Sequence, residues 1–187
     1  MNIKNTIYTF ATLFIVAISL HSCKPDSTKC DNCETELITS VNIALTDSAT
    51  GMVTQFKFRD LDGDGANAPI QFDTIKLLAN RIYTASILVL DESKSPSDTI
   101  SNEILEEAND HQFFFHSHDI SVNFSYLDFD THTPPMPVGL NSKWYVGNVT
   151  GYGKIRIELK HQPSIKVAGN DQVGETDLDI DFNALVQ

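Results

Sequence analysis

Two groups of side chains in this chain have the residue types and spacing to hold a cation. Asp60, Asp62 and Asp64, followed by Gly65, stand at positions 1, 3, 5 and 6 of a pattern like the calcium loops of EF-hands. Calcium takes several hard oxygens from a tight turn, and alternate carboxylates with a glycine for the bend supply both. Position 12 of that pattern is Gln71 instead of a bidentate glutamate. Asp and Gly also build plain strand-connecting turns, so the segment reads either as a calcium loop or as such a turn.

The second group is histidine. His116-Ser117-His118 follows three phenylalanines; in an extended chain both imidazoles point to one face, where two histidines and a third ligand hold zinc or copper. His111 lies upstream, at the end of a predicted helix and in phase with the inward residue Ile104. His161 is in phase with Ile155, Ile157 and Leu159 and so points inward too. His111, His116, His118 and His161 are therefore the candidate transition-metal ligands, with Glu175 or Asp177 as oxygen partners. The alternative is a solvated His-x-His and inward histidines satisfied by the core.

Catalytic signatures are missing. Ser, His and carboxylates are present, but none falls in a nucleophile elbow or a metallohydrolase motif. Glu106 and Glu107 occupy successive helix positions, which do not share a face, so they read as a solvated face and not as an acid and base pair. The chain is read as a binding protein, not an enzyme.

The elements that position these residues alternate with period two. Val41, Ile43 and Leu45 are interleaved with polar or small residues, as are Phe56 with Phe58, Ile155 with Ile157 and Leu159, and Leu178 with Ile180 and Phe182. Tyr83 to Val89 and Ile120 to Tyr126 carry the same pattern, and weaker segments lie at Gln71 to Leu77 and Lys143 to Val149. Such alternation buries one face and wets the other. The expectation is an all-β domain, an antiparallel β-sandwich of about seven or eight strands. One segment departs: between Pro96 and Gln112 the apolar residues Ile100, Ile104, Leu105 and Ala108 recur at helical spacing, with Asp98 or Ser101 as cap, which predicts one inserted amphipathic helix. Pro134-Pro135-Met136-Pro137 marks a rigid extended loop.

The address is written at the N-terminus. Lys4 precedes an apolar run from Ile7 to Leu20, a charged start and hydrophobic stretch of signal-peptide length. Leu20-His21-Ser22-Cys23 follows, and resembles a bacterial lipobox. The expected organisation is a signal peptide over 1–22, a lipid-anchored linker over 23–36 beginning at Cys23, and a β-sandwich domain over 37–187. Cys30 and Cys33 form a Cys-x-x-Cys pair in the linker. No histidine follows Cys33, which excludes covalent haem attachment. Outside the cytoplasm such a pair closes a small disulfide loop, with spare thiols or metal ligation as the other readings.

Losing Lys4 with the leader takes the formal net charge from −12 to −13. So acidic a surface repels phosphate backbones, which argues against nucleic acid and for cations or basic partners. With 41% hydrophobic residues the chain is rich enough to bury one ordinary core.

The stretches Asp60-Leu61-Asp62-Gly63-Asp64-Gly65-Ala66-Asn67-Ala68-Pro69, Asp110-His111-Gln112-Phe113-Phe114-Phe115 and Gly174-Glu175-Thr176-Asp177 resemble those of a lipoprotein family of Bacteroidetes, flavobacteria in particular, over roughly Leu37 to Val186. The resemblance implies the envelope address and a single domain and transfers no catalytic residue. A periplasmic-binding-like label carried by some members would require repeated βαβ units, which the strand pattern lacks. The functional expectation is a protein exported and lipid-anchored to the outer membrane, periplasmic or surface-facing. It would bind a small solute, calcium, zinc or copper, or dock on an outer-membrane transporter as an accessory in uptake. A surface protein-interaction module with no small ligand is the other reading.

Overall fold

The structure, a computed structural model, describes residues 37–63 and 67–187. The segment read as a leader over 1–22, Cys23 of the expected lipobox, the pair Cys30 and Cys33, and Asp64 lie outside the described residues. Among the described residues, ten strands and one helix follow in order: β1 Ser40–Asp47, β2 Val53–Arg59, β3 Gln71–Phe72, β4 Ile75–Leu77, β5 Ile82–Leu90, α1 Ile100–Glu106, β6 His111–His118, β7 Val122–Tyr126, β8 Asn141–Val146, β9 Gly151–His161 and β10 Glu175–Val186. They form a six-stranded sheet in the order β3-β2-β1-β5-β8-β7 and a four-stranded sheet in the order β4-β10-β9-β6. Every pairing is antiparallel except that of β4 with β10, which is parallel.

The all-β sandwich expected from period-two alternation is what the chain forms. Val41, Ile43 and Leu45 of β1 and Ile155, Ile157 and Leu159 of β9 are all at most 1% exposed, one set from each sheet, within one continuous core. Trp144 of β8 closes the middle of that core, its ring edge-on to Phe124 at 5.3 Å and its Nε1 donating to Ser142 Oγ at 2.9 Å. Full burial of a tryptophan with its N–H satisfied gives a large apolar contact without an orphaned donor.

Three local expectations are corrected. The Gln71 to Leu77 segment is two short strands in different sheets, because Asp73 interrupts it: its N–H donates to Lys57 O at 3.0 Å and its carboxylate accepts from Lys57 N at 2.8 Å. The helix is shorter than Pro96 to Gln112 and begins after Thr99, which makes no side-chain cap. Asp98 and Ser101 do not cap it either: Asp98 bridges to Asp91, and Ser101 Oγ accepts from Val89 N at 2.6 Å. Ile100 and Ile104 are buried against the sheets, whereas Leu105 is 59% exposed. Finally, residues 111–118 are a full strand, so His111 sits on β6 and not on the helix. Three consecutive phenylalanines mask the alternation there, and pairing with β9 decides the conformation.

Candidate metal centre

The site lies where β6 begins and β9 ends. The antiparallel register places His111 directly opposite His161. Both are in the inward phase of their strands, His111 with Phe113 and Phe115, His161 with Ile157 and Leu159. Directly opposed residues bring their Cβ atoms to about 4.5–5.5 Å, and here the two imidazoles stack, 4.6 Å between centroids and 11° between planes. His111 is 3% exposed while His161 is half-buried, so the stack stands at the rim of the core.

Glu107 arrives from α1. It is the residue at which the helix ends, its N–H donating to Glu103 O. Its carbonyl lies 3.2 Å from His111 Nδ1 and its carboxylate Oε2 lies 3.9 Å from the same nitrogen. Glu107, His111 and His161 each bring one ligand atom within 4.8 Å of the others. Zinc bonds to N and O donors at about 2.0–2.2 Å, so one ion needs its donors a little closer than that. Glu107, with 59% of its side chain exposed, has the freedom to close the gap.

A bulge in β10 supplies a second carboxylate. Thr176 pairs with Lys160 and Leu178 with Leu159, which leaves Asp177 as an extra residue between two pairs. Its Oδ2 lies 3.8 Å from His111 Nε2, with 16% of the side chain exposed. Burial pushes this carboxyl up to about 6, Glu175 adding to the effect and His161 and Lys160 opposing it. Burial likewise pushes His111 below the ordinary imidazole value, and His161 adds to that. The imidazole is therefore neutral at pH 7, the form that ligates metals.

The turn carrying Glu107 and His111 is held from behind. Lys166 Nζ donates to Ala108 O at 2.7 Å and meets Asp130 Oδ2 at 2.9 Å. Asn109 Oδ1 accepts from Thr131 N and Oγ1, and Asp110 O accepts from Gln162 N at 2.6 Å. Three successive residues before His111 are thus tied to the 130–132 and 162–166 loops.

The four predicted histidines do not converge. His116 and His118 do share a face, as expected, but it is the outer face of the sheet, because alternation from His111 puts even-numbered residues of β6 opposite to it. His116 Nε2 lies 3.1 Å from Asp171 Oδ2, outside hydrogen-bonding alignment, and groups with Glu158 and Asp171 within 4.8 Å. That face is an ion-pair ladder: Arg156 grips Asp179 with two bonds of 2.7 Å, and Lys160 meets Glu158 at 3.0 Å. His118 is exposed. Of the oxygen partners, Asp177 reaches His111, while Glu175, which pairs with His161 in register, is exposed. Asp60 is buried, and Asp62 binds Asn67 through its Oδ2, 2.8 Å from Nδ2. A side-chain bond with Asp60, then those with Asn67, hold Asp62 below the usual carboxylate value.

Sequence reading missed Glu107, Asp130 and Lys166. Glu107 stands four residues before His111, a spacing that pairs side chains in a helix, but α1 ends at Glu107 and it is the turn over 107–110 that brings the two together. Comparison with protein-family models, curated proteins and solved structures returns no match for this chain.

Proposed function

We propose that this chain is an exported, lipid-anchored cell-envelope protein that holds a transition-metal ion, zinc or copper, between His111 and His161, as an accessory to uptake at the outer membrane. The observation that carries the reading is that one ligand atom each of Glu107, His111 and His161 lies within 4.8 Å of the others. The two imidazoles stack with planes 11° apart, so half-buried His161 must turn to bring both in-plane lone pairs onto one ion. Two nitrogens and a carboxylate are the donor mix that zinc and copper take, whereas calcium and magnesium take oxygen alone. The acidic surface favours cation capture, and the leader with Cys23 in its lipobox supports the address. Two or more acyl chains on Cys23 would keep the protein on a leaflet without a spanning segment.

The test is titration of the mature chain carrying Cys23→Ser, Cys30→Ser and Cys33→Ser, which removes competing thiolates. Zinc or copper binds at micromolar concentration or better; His111→Ala or His161→Ala abolishes this, while His116→Ala with His118→Ala together leave it intact. Absence of binding, or binding that follows His116 and His118, overturns the metal reading and leaves the protein-interaction module. Separately, Cys23→Ser in the otherwise native chain releases it from carbonate-washed membranes; retention overturns the anchor.

A further inference from the structure

We infer that Asp177 is the positioning residue of this centre: brought by the β10 bulge to the Nε2 end of His111, it accepts the Nε2 proton and presents the Nδ1 lone pair to the ion shared with Glu107 and His161. This rests on the metal reading above.

The geometry separates the two ends of the imidazole. Glu107 Oε2 faces Nδ1 at 3.9 Å, and Asp177 Oδ2 faces Nε2 at 3.8 Å. A single ion meets only one ring nitrogen, and Glu107, which belongs to the three-residue set within 4.8 Å, stands at Nδ1. The other nitrogen of a metal-bound histidine almost always donates to a carboxylate, carbonyl or water that fixes its orientation. Asp177 Oδ2 is the carboxylate oxygen facing that nitrogen, and from 3.8 Å it closes by about 1 Å to accept from it.

The bulge is what puts it there. Leu178, Ile180 and Phe182 are the inward residues of β10. Unbroken alternation would therefore send Asp177 outward with Asp179 and Asp181, whose side chains are 45% and 48% exposed. The extra residue between Thr176 and Leu178 turns Asp177 inward instead, to 16% exposure beside His111. Re-aiming a side chain at a site is a known use of bulges.

Without an ion, His111 Nδ1 lies 3.2 Å from the Glu107 carbonyl, where an Nδ1–H donates. With the ion, the Nδ1 proton leaves to solvent and Nε2 takes one from solvent, toward Asp177. The ring's proton count is unchanged; only its tautomer switches.

The experiment combines zinc titration with nitrogen-15 NMR of the imidazoles, on the mature chain with the three cysteines replaced by serine. In the zinc-bound parent, His111 carries its proton on Nε2 and ligates through Nδ1. Asp177→Ala weakens zinc about 10- to 100-fold and loses that fixed tautomer. Asp177→Asn, whose amide oxygen still accepts a hydrogen bond, restores most of the affinity, and Glu175→Gln keeps the parent value. The inference is overturned if His111 ligates through Nε2, if Asp177→Ala binds as well as the parent, or if Glu175→Gln loses as much as Asp177→Ala. A parent chain that binds no zinc sinks the metal reading itself and this inference with it; a parent that binds while Asp177→Ala is unaffected sinks this inference alone.

Discussion

Lys166 Nζ and Asp130 Oδ2 meet at 2.9 Å with only 1% and 0% of their side chains exposed, a fully buried ion pair between two loops. Both partners make further bonds: Lys166 also reaches Ala108 O, and Asp130 accepts from Met136 N at 2.8 Å and His132 N at 3.0 Å. Burial alone would raise the Asp130 carboxyl, but these donors and Lys166 outweigh it and hold the group far below its ordinary value.

Removing one partner of such a pair strands the other charge, so Lys166→Ala is expected to cost about 3–5 kcal/mol. Because the folded carboxyl is depressed, the Asp130 contribution is complete above the unfolded value of about 3.9 and drains away as pH falls below it. Urea unfolding of wild type and Lys166→Ala at neutral pH and near pH 3 checks both points. A gap that widens on acidification contradicts the assignment.

Asp177 carries the opposite sign. Its folded value of about 6 lies above the unfolded one, so the native state keeps a proton that the unfolded chain has lost between those two values. Stability therefore falls as pH rises through that window, and the cost is fully present at pH 7. Without metal, Asp177→Asn is expected to be more stable than wild type at pH 7, by roughly 2–3 kcal/mol at most, the difference closing toward pH 4. Chemical denaturation at several pH values measures it, and a destabilised Asn variant at pH 7 would refute it.

Gly174 stands at φ +86°, and a Cβ there would lie 2.3 Å from the His161 carbonyl oxygen. Gly51, at φ +73°, has open space around it. Gly174→Ala combines left-handed strain with a backbone collision, whereas Gly51→Ala carries only the strain, about 1–2 kcal/mol. Gly174→Ala is expected to cost more and to displace His161, and with it to weaken the zinc binding proposed above. Equal melting temperatures for the two variants would rule this out.

Trp144, the chain's single tryptophan, is 0% exposed. Trp144→Ala is expected to destabilise by about 3–5 kcal/mol, the range for emptying a large aromatic site. Circular dichroism follows the variant, and wild-type tryptophan fluorescence is expected to shift to the red in the same urea transition. A shift well ahead of the loss of secondary structure would show that the core around β8 opens on its own.

The sequence by itself determined the sandwich, its inward residues and the inward phase of His161, because alternation is a local property: each strand states which of its side chains share a face. It also placed His116 and His118 on one face correctly. What it lacked was the identity of that face, since Phe113, Phe114 and Phe115 are all apolar and erase the phase; Phe114 is itself only 4% exposed while pointing away from the core. His111 was expected inward on a helix and is inward on a strand. Only the register of β6 against β9 set it opposite His161, and only the bulge in β10 brought Asp177 beneath it. Both are matters of pairing between separate segments, where backbone hydrogen bonds and side-chain packing across strands decide, and no spacing within one segment records them.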